Sequence, residues 1–232
     1  MELNEIYNMD CLSGMQEMLK AGQKVDLIVA DPPYQIDCTK AGGNTRLARS
    51  FQKMNDELTF FQLCRTPTRE YFELMAKLQD RINIYIWCNA KQVPFYLDIF
   101  VKGLKCSYDI LVWHKTNVPP LFSNKYLCDK EMCLYFRKGG YCKPDSYAGA
   151  KTIFISPMNV GDKRLYGHPT VKPLPIIERL VCNSSRENEV VLDPLMGSGT
   201  TAVVCKKLNR KFIGFEILPA FCESARKRIQ ET

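Results

Sequence analysis

A doubly wound α/β fold with a mostly parallel sheet is expected for this chain of 232 residues. Short apolar runs rich in β-branched and aromatic residues recur along it, and segments with helical apolar spacing lie between them. Near-continuous apolar strands are typical of a sheet that is covered on both faces. Their alternation with helices indicates right-handed crossovers between parallel strands. The length and the 46% hydrophobic content favour a single domain, residues 1–232.

The individual elements follow from these patterns. The predicted strands are Val25–Ala30, Ile82–Trp87, Tyr108–Trp113, Glu189–Leu192 and Phe212–Phe215. The predicted helices are Tyr71–Leu78, Lys91–Lys102, Leu174–Cys182, Thr200–Leu208 and Pro219–Ile229. Thr66 with Pro67 is the expected start of the first helix, and Gly103 is the expected stop of the second.

The segment 115–167 fits the alternation poorly, and we expect an insertion around one strand, EMCLYF. Residues 114–167 carry nine Lys or Arg against four Asp or Glu, and residues 35–56 carry a net charge of +2. The two stretches therefore account for the whole formal net charge of +7. Basic segments with interspersed tyrosines suit a phosphate backbone and unstacked bases, although ordinary solvated lysines are the alternative.

Several classes of protein are disfavoured. No apolar run approaches the roughly 20 residues of a membrane helix, and the N-terminal segment lacks the features of a signal peptide. A cytoplasmic protein is expected. The eleven cysteines are then better read as reduced thiols than as disulfides. Neither the cysteines nor the two histidines have the spacing of a metal site, so no metal is expected.

A first reactive motif, Asp31-Pro32-Pro33-Tyr34, directly follows a predicted strand. In an open α/β sheet, ligands bind beyond the carboxyl ends of the strands. Two prolines stiffen the turn, so a carboxylate and a carbonyl could each accept one N–H of an aromatic amine while tyrosine stacks on its ring. That would free the nitrogen lone pair for attack. The alternative is a proline turn that only ends a strand.

A second motif, VVLDPLMGSGTT at residues 190–201, combines a strand, a glycine turn and a helix start. Gly197 and Gly199 allow close approach of a ligand to the backbone. Glu216 follows Asp193 by 23 positions, near the offset at which an acidic residue binds ribose. The pyrophosphate fingerprint and the GK[ST] ending are missing, which favours a nucleoside without pyrophosphate, such as S-adenosylmethionine. A helix entry without a ligand is the alternative.

Together these motifs resemble the amino-methyltransferases of DNA, in which DPPY and DPFxGSGTT are hallmarks. The order of the motifs resembles the β class, as do Asp10-Cys11-Leu12 and the HPTVKP segment at 168–173. Leu195 in place of phenylalanine and Val171 in place of glutamine are departures. The resemblance implies a seven-stranded methyltransferase sheet with a permuted order of motifs. It implies as catalytic residues Asp31, Pro32, Pro33 and Tyr34, and as cofactor-binding residues Asp10, Cys11, Thr170, Lys172, Asp193, Leu195, Gly197, Ser198, Gly199, Thr200, Thr201 and Glu216.

The implied activity is methyl transfer from S-adenosylmethionine to N6 of an adenine flipped out of double-stranded DNA. Residues 115–167 would recognise the target, residues 35–56 would contact DNA, and the family often forms homodimers. Transfer to N4 of cytosine is the main alternative, although serine commonly replaces the aspartate in that group. RNA or glutamine methylation and an inactive cofactor-binding subunit also remain open. C5-cytosine transfer is disfavoured because no Pro-Cys pair occurs.

Overall fold

A computed structural model describes residues 1–34, 49, 52, 56, 67–120, 124, 126–168 and 170–232. Its strands are β1 (Glu5–Tyr7), β2 (Leu27–Ala30), β3 (Ile82–Cys88), β4 (Ser107–Lys115), β5 (Lys130–Lys138), β6 (Ile153–Ser156), β7 (Val190–Asp193) and β8 (Lys211–Phe215). Its helices are α1 (Cys11–Lys20), α2 (Arg69–Lys77), α3 (Val93–Leu97), α4 (Val160–Tyr166), α5 (Leu174–Ser184), α6 (Thr200–Lys207) and α7 (Pro219–Gln230). A π-helical turn, Asp98–Gly103, continues α3.

All eight described strands form one sheet in the order β1-β8-β7-β2-β3-β5-β4-β6. β5 is antiparallel to β3 and β4, and the other pairs are parallel. The predicted α/β class and the mostly parallel sheet are therefore confirmed. The described sheet has eight strands instead of seven, because the short strand β6 adds to the edge beside β4.

Two apolar cores cover the two faces of the sheet. One core joins α1, α2 and α3 to one face, through side chains such as Met15, Phe72 and Tyr96. The other joins α5, α6 and α7 to the opposite face. Successive residues of β2 alternate between them, since Ile28 belongs to the first core and Val29 to the second. This alternation explains why the central strands are apolar throughout.

The predicted elements are found, with shifts at their ends. The helix expected after Thr66 begins at Arg69 with Thr68 as its N-cap, and Thr66 lies outside the described residues. The elements β1, α1, β6 and α4 were not predicted. For β1 and β6 the reason is their length, because a strand of three or four residues carries little periodic signal. The strand EMCLYF exists, but it belongs to the central sheet as part of β5.

The antiparallel direction of β5 divides the segment 115–167 between two edges of the sheet. Residues 116–120 directly follow β4 and residues 126–129 directly precede β5, so these two described stretches lie at the edge where the parallel strands end. Residues 139–152 lead from the end of β5 to the start of β6, at the opposite edge. Of the predicted DNA-contacting loop 35–56, only Arg49, Gln52 and Asp56 lie within the described residues.

Two further expectations concern chemistry and membranes. The nine cysteines that the structure describes are all free thiols, as expected. Within the described part of the chain, none of the helices combines the length and apolar character that crossing a bilayer requires. The clusters of His, Cys, Asp and Glu in the same part include no group of three or more arranged to hold a metal ion.

Gly14 lets α1 approach the sheet closely, and this contact can be tested. A Cβ atom at Gly14 would lie 2.3 Å from Cε1 of Phe215, so Gly14→Ala should lower the free energy of unfolding by roughly 1 to 3 kcal/mol. Gly161→Ala in α4 is the matched control, because its Cβ meets nothing within 4 Å and alanine favours helix. Urea titration measures both, and equal stability of the two variants would contradict this packing.

Candidate active site

The crevice of the molecule lies where the strand order reverses. β2 and β7 are parallel neighbours, with Leu27 opposite Val191 and Ile28 opposite Leu192. From β2 the chain proceeds to β3 on one side, and from β7 it proceeds to β8 on the other. Their carboxyl ends therefore form a topological switch point, the usual position of a ligand site in open α/β sheets.

The two predicted motifs line one cleft at this point. Asp31, which follows β2, and Asp193, which ends β7, are both on its wall, together with the glycine turn. Of the predicted site residues the cleft brings together Asp31, Thr170, Lys172, Asp193, Leu195, Gly197, Ser198, Thr200 and Thr201. Apolar side chains, among them Val29, Trp87 and Ile177, complete the lining. Motifs more than 160 positions apart in the chain thus share one site.

The glycine turn has a backbone conformation that requires glycine. Gly197 has a φ of +52° and Gly199 a φ of +80°. A Cβ atom at Gly197 would lie 2.9 Å from Nε2 of His168, and one at Gly199 would lie 2.9 Å from the Cβ of Ala225. Glu216 fixes the turn, because its Oε2 accepts the N–H of Gly197 at 2.9 Å. The turn is therefore held in shape before any ligand binds.

Asp193 is a buried carboxyl group beside this turn. Its Oδ2 accepts the hydroxyl hydrogen of Thr201 at 2.5 Å, and its Oδ1 accepts the N–H of Leu195 at 3.1 Å. Burial raises the pKa of Asp193 to about 7, and these two hydrogen bonds oppose the rise only in part. A cationic group of a ligand near Asp193 would act as a positively charged partner and stabilise its ionised form.

Asp31 belongs to a set of four charged side chains that we call the ion cluster: Asp31, Lys115, Glu131 and Lys172. The ammonium group of Lys172 contacts Oδ2 of Asp31 and lies 2.9 Å from Oε1 of Glu131. Lys115 lies 2.5 Å from Oε2 of Glu131, and the Tyr34 hydroxyl donates to Oε1 of Glu131 at 2.5 Å. The Asp31–Tyr34 motif is thereby tied to β4, β5 and the segment before α5.

The charges of the ion cluster perturb one another. Burial raises the pKa of Asp31; Lys172 opposes this rise and Glu131 adds to it. Burial would also raise the pKa of Glu131, but Lys172 and Lys115 outweigh it and lower the pKa to about 2. Burial disfavours the charged form of Lys172, but Asp31 and Glu131 outweigh that effect and raise its pKa. Lys172 therefore stays protonated between two carboxylates.

The turn at Pro32 and Pro33, which we call the proline corner, is held by contacts with neighbouring side chains. The Nε2 of Gln92 donates to the carbonyl of Pro33 at 3.0 Å, and Pro32 is buried. The Lys172 ammonium lies 5.2 Å from the ring centroid of Trp87 and 5.5 Å from that of Tyr34. Both distances are within the range of a cation–π interaction. The aromatic rings and the ammonium group therefore restrict one another.

Asp10 and Cys11 are not among the residues that line the cleft. Oδ2 of Asp10 accepts the N–H of Ser13 at 2.9 Å and so caps α1. Burial, followed by the charge of Asp10, raises the pKa of the Cys11 thiol to about 12. Their loop is joined to the end of β8, because Nδ2 of Asn8 donates to the carbonyl of Glu216 at 2.8 Å. Pro169 of the HPTVKP segment lies outside the described residues.

Sequence reasoning missed Glu131, Lys115 and Trp87. A carboxylate at the start of the apolar run EMCLYF was a possible signal for Glu131, since a charge in a buried strand needs a partner. Lys115 carried no comparable signal, because it follows its strand like an ordinary surface lysine. Trp87 was assigned to a strand, and its indole Nε1 is buried with no hydrogen-bond partner among the described residues.

The cleft fits a cationic nucleoside ligand. Asp193 is a buried carboxyl without a described cationic partner, which suits an amino group of a ligand. The turn at Gly197 and Gly199 has no room for side chains, which suits close contact with the backbone. The apolar lining suits an adenine or an aliphatic chain. S-adenosylmethionine has all of these parts.

Comparisons with known proteins agree with this geometry. A family model for N6 and N4 methyltransferases, described as DNA methylase, matches residues 25–227. The chain is 30% identical over 226 residues to the Type II methyltransferase M2.LlaDCHI of Lactococcus lactis subsp. cremoris, covering 90% of this chain and 83% of that protein. It is 25% identical to the Type II methyltransferase M.HinfI of Haemophilus influenzae, covering 99% and 69%.

Solved structures extend the comparison. The crystal structure of the M1.HpyAVI-SAM complex superposes with a TM-score of 0.72 at 26% identity, over 97% of this chain and 98% of that one. The PvuII DNA methyltransferase (cytosine-N4-specific) has a TM-score of 0.65 at 14% identity, over 96% and 85%, and shares the fold. From the extent of the family match and from these relatives, we conclude that the chain belongs to the DNA methylase family and is an S-adenosylmethionine-dependent DNA methyltransferase.

Proposed function

We propose that the chain methylates N6 of an adenine that is flipped out of double-stranded DNA, at a specific site. One observation carries this proposal: Asp31 and the glycine turn line the same cleft. A base in a duplex cannot reach such a cleft, and flipping costs a few kcal/mol that contacts in the pocket must offset. Tyr34, directly beyond Pro33, supplies an aromatic ring for stacking.

Asp31 and the carbonyl of Pro32 are the proposed acceptors for the two hydrogens of the amine. Lys172 contacts Oδ2 of Asp31, and a carboxylate has about four acceptor positions, so Oδ1 remains an acceptor for the base. Gln92 holds the neighbouring carbonyl of Pro33 and so keeps the corner rigid. Orientation of the amine and a carboxylate next to its developing positive charge are the main sources of rate enhancement.

The transfer is balanced without a covalent enzyme intermediate. Bound S-adenosylmethionine supplies a methyl group on a positively charged sulfur. When the bond between sulfur and this carbon breaks, the sulfur keeps the electron pair and becomes an uncharged thioether. The amine gains a bond from nitrogen to carbon and gives up one of its two hydrogens as a proton. Asp31 is the proposed first acceptor of that proton, since burial raises its pKa.

Cofactor binding is proposed for the residues named from the sequence. Asp193 would hold the amino end of the methionine, and Glu216 the ribose, because its oxygens retain free acceptor positions beyond the N–H groups of Gly197 and Leu218. Asp10 and Cys11 would border the adenine from the loop after β1. Thr170 and Lys172 were expected near the cofactor carboxylate; for Lys172 the contacts with Asp31 and Glu131 favour a role beside the target base.

Transfer to N4 of cytosine is the second candidate, because the matching family model covers both classes. Asp31 favours adenine, since serine commonly stands at this position in the cytosine group. RNA methylation, glutamine methylation and an inactive subunit are less favoured, the last because Asp31 and Tyr34 are both present. We propose action in the cytoplasm, within a restriction–modification system.

The proposed target-recognition region is narrower than residues 115–167. Residues 116–120 and 126–129 lie next to the end of β4 and the start of β5, at the edge of the sheet that carries the cleft, and there the side chain of Tyr126 is 97% exposed. Tyr135 is unsuited to contact bases, because it is buried and stacked on Tyr85 with ring centroids 4.2 Å apart. We propose that 116–129 and the loop 35–56 contact DNA, whereas 139–152 lies at the far edge.

We also propose a homodimer, as is common in the family. β6 is the last strand in the described sheet order, and its Ile153 and Ile155 are 58% and 68% exposed. Two exposed isoleucines on one face of an edge strand favour contact with a second chain.

Substitution of Asp31 tests the proposed function. Asp31→Asn keeps the shape and removes the charge, so it should lower the rate of methylation about 100-fold or more while the affinity for S-adenosylhomocysteine, which has no charge on its sulfur, is retained. Mass spectrometry of DNA nucleosides identifies the product, and calorimetry measures the affinity. Asp80→Asn, at an exposed position, is the control and should keep full activity. N4-methylcytosine as the product of the unaltered protein would overturn the assignment to adenine.

Asp193 should stabilise the cofactor complex at the expense of the free protein. Because its carboxyl binds a proton more tightly in the folded chain, its contribution to stability is greatest below pH 4 and falls as the pH rises to about 7. Asp193→Asn should therefore raise the unfolding free energy of the free protein at pH 8 by roughly 1 to 4 kcal/mol and weaken cofactor binding. Urea unfolding at pH 5 and pH 8 measures this, and an unchanged pH dependence would refute it.

Charge at the edge strand tests the homodimer. Ile155→Lys should convert the dimer to a monomer, because an ammonium group would be buried at the proposed interface. Light scattering after gel filtration gives the mass of each form. Lys151→Ile, outside the strand, is the control for a change of charge. A monomeric unaltered protein at micromolar concentration would contradict the proposal.

A further inference from the structure

The ion cluster includes a carboxylate for which the proposed chemistry has no use. Asp31 and Lys172 line the cleft, whereas Glu131 is not part of its lining and contacts Lys172 and Tyr34. The side chain of Glu131 is only 10% exposed and that of Lys172 only 8% exposed. Charges so deeply buried are costly unless they are paired, and even buried pairs contribute little to stability. A functional reason for this arrangement is therefore expected.

The sheet places Glu131 where it can act on the catalytic motif. β5 runs antiparallel to β3 and β4, so its first residues lie at the edge where those strands end. Glu131 is opposite Trp113 in this register, and Lys115 is two residues further along β4. The four members of the ion cluster thus come from four separate segments of the chain.

The formal charges of the ion cluster cancel. Two carboxylates, Asp31 and Glu131, face two ammonium groups, Lys115 and Lys172. Lys172 is shared between both carboxylates, whereas Lys115 contacts Glu131. Removal of the carboxylate of Glu131 would leave one excess positive charge next to Asp31, and removal of the ammonium of Lys115 would leave one excess negative charge.

We propose that Glu131 is a positioning residue: it holds Lys172 and Tyr34 in place and, with Lys115, keeps the catalytic pocket electrically neutral. This inference rests on the proposed function of Asp31. It has two consequences. Asp31 keeps its capacity to accept a hydrogen bond from the amine, because Lys172 also pairs with Glu131 and its electrostatic interaction with Asp31 is weaker as a result. The positively charged sulfur of the cofactor enters a pocket without net positive charge.

Other titratable groups also face the ion cluster. They come from β3, α3, β5, α4, the segment before α5 and β7 and are Cys88, Tyr96, Cys133, Lys163, His168 and Asp193. Burial, followed by the charge of Lys172, lowers the pKa of His168 to about 4. Burial raises the pKa of both thiols, which are therefore neutral at ordinary pH. Burial, followed by the charge of Lys115, lowers the pKa of Lys163. Among the described residues other than Asp31, Glu131 is the carboxylate that contacts both Lys172 and Tyr34.

The test uses four variants with predicted signs. Glu131→Gln should move the acid limb of the kcat profile down by about 1 pH unit, because loss of its charge lowers the pKa of Asp31. It should also raise the ratio of the Kd for S-adenosylmethionine to that for S-adenosylhomocysteine about 5- to 10-fold, because only the former carries the sulfonium charge. Lys115→Met should shift both quantities the opposite way.

Two further variants separate charge from shape. The double variant Glu131→Gln with Lys115→Met is neutral again, so both quantities should return toward those of the unaltered protein. Glu131→Asp keeps the charge and should retain the affinity ratio. Glu187→Gln, at an exposed position, is the matched control. Circular dichroism and thermal unfolding establish whether each variant is folded. If Glu131→Gln does not fold, the result for Lys115→Met decides whether charge balance is correct.

The outcomes are distinct from those of the proposed function. Calorimetry with the two cofactor forms needs no DNA, and the identity of the methylated base does not enter. An unchanged acid limb and affinity ratio in folded Glu131→Gln would overturn the inference and leave only a packing role for this residue. If the double variant shows the same shifts in acid limb and affinity ratio as Glu131→Gln alone, the proposed charge balance is wrong.

Discussion

The parallel pairing of β2 with β7 is the constraint on which the site depends. It joins strands from the beginning and the end of the chain, so that the segments after Ala30 and Leu192 leave the sheet side by side. The two strands are central and apolar on both faces, which fixes their register through two cores at once. A slip of one residue would exchange the faces of β2 and disrupt both cores. The position of Asp31 relative to the glycine turn is thereby determined by packing.

A second consequence of the sheet order is the environment of Asp31. The antiparallel strand β5 inserts between β3 and β4 and brings Glu131 to the same edge as the Asp31–Tyr34 motif. Because the edge is covered by the segment before α5, Lys172 is buried between the two carboxylates. The corner at Pro33 is held by a hydrogen bond from Gln92, and its Tyr34 by one to Glu131. The proposed catalytic motif is thus supported by contacts from much of the sheet.

Prediction from the sequence succeeded where the signal was local and strong. The runs at β2, β3 and β7 are apolar throughout, and the helix patterns at α5 and α7 are periodic, so their type and approximate bounds were correct. It failed for β1 and β6, whose three or four residues are stabilised by pairing with neighbours and not by their own composition. The strand in EMCLYF was recognised, but its place in the central sheet was not, because strand order depends on contacts between distant segments.

The motifs alone were sufficient to indicate the chemistry of this protein. From residue type and spacing, Asp31 with its prolines, the glycine turn and Glu216 predict sites for an amine, a closely approaching ligand and a ribose, because each of these requires particular groups. Folding alone decided which additional charges surround them. The partners of Glu131 and Lys115 cannot be read from the sequence, because the antiparallel register of β5 beside β4 pairs these two residues and the fold brings Glu131 to Lys172. Electrostatic interactions act through space, so the charge balance of the site was determined by the tertiary structure.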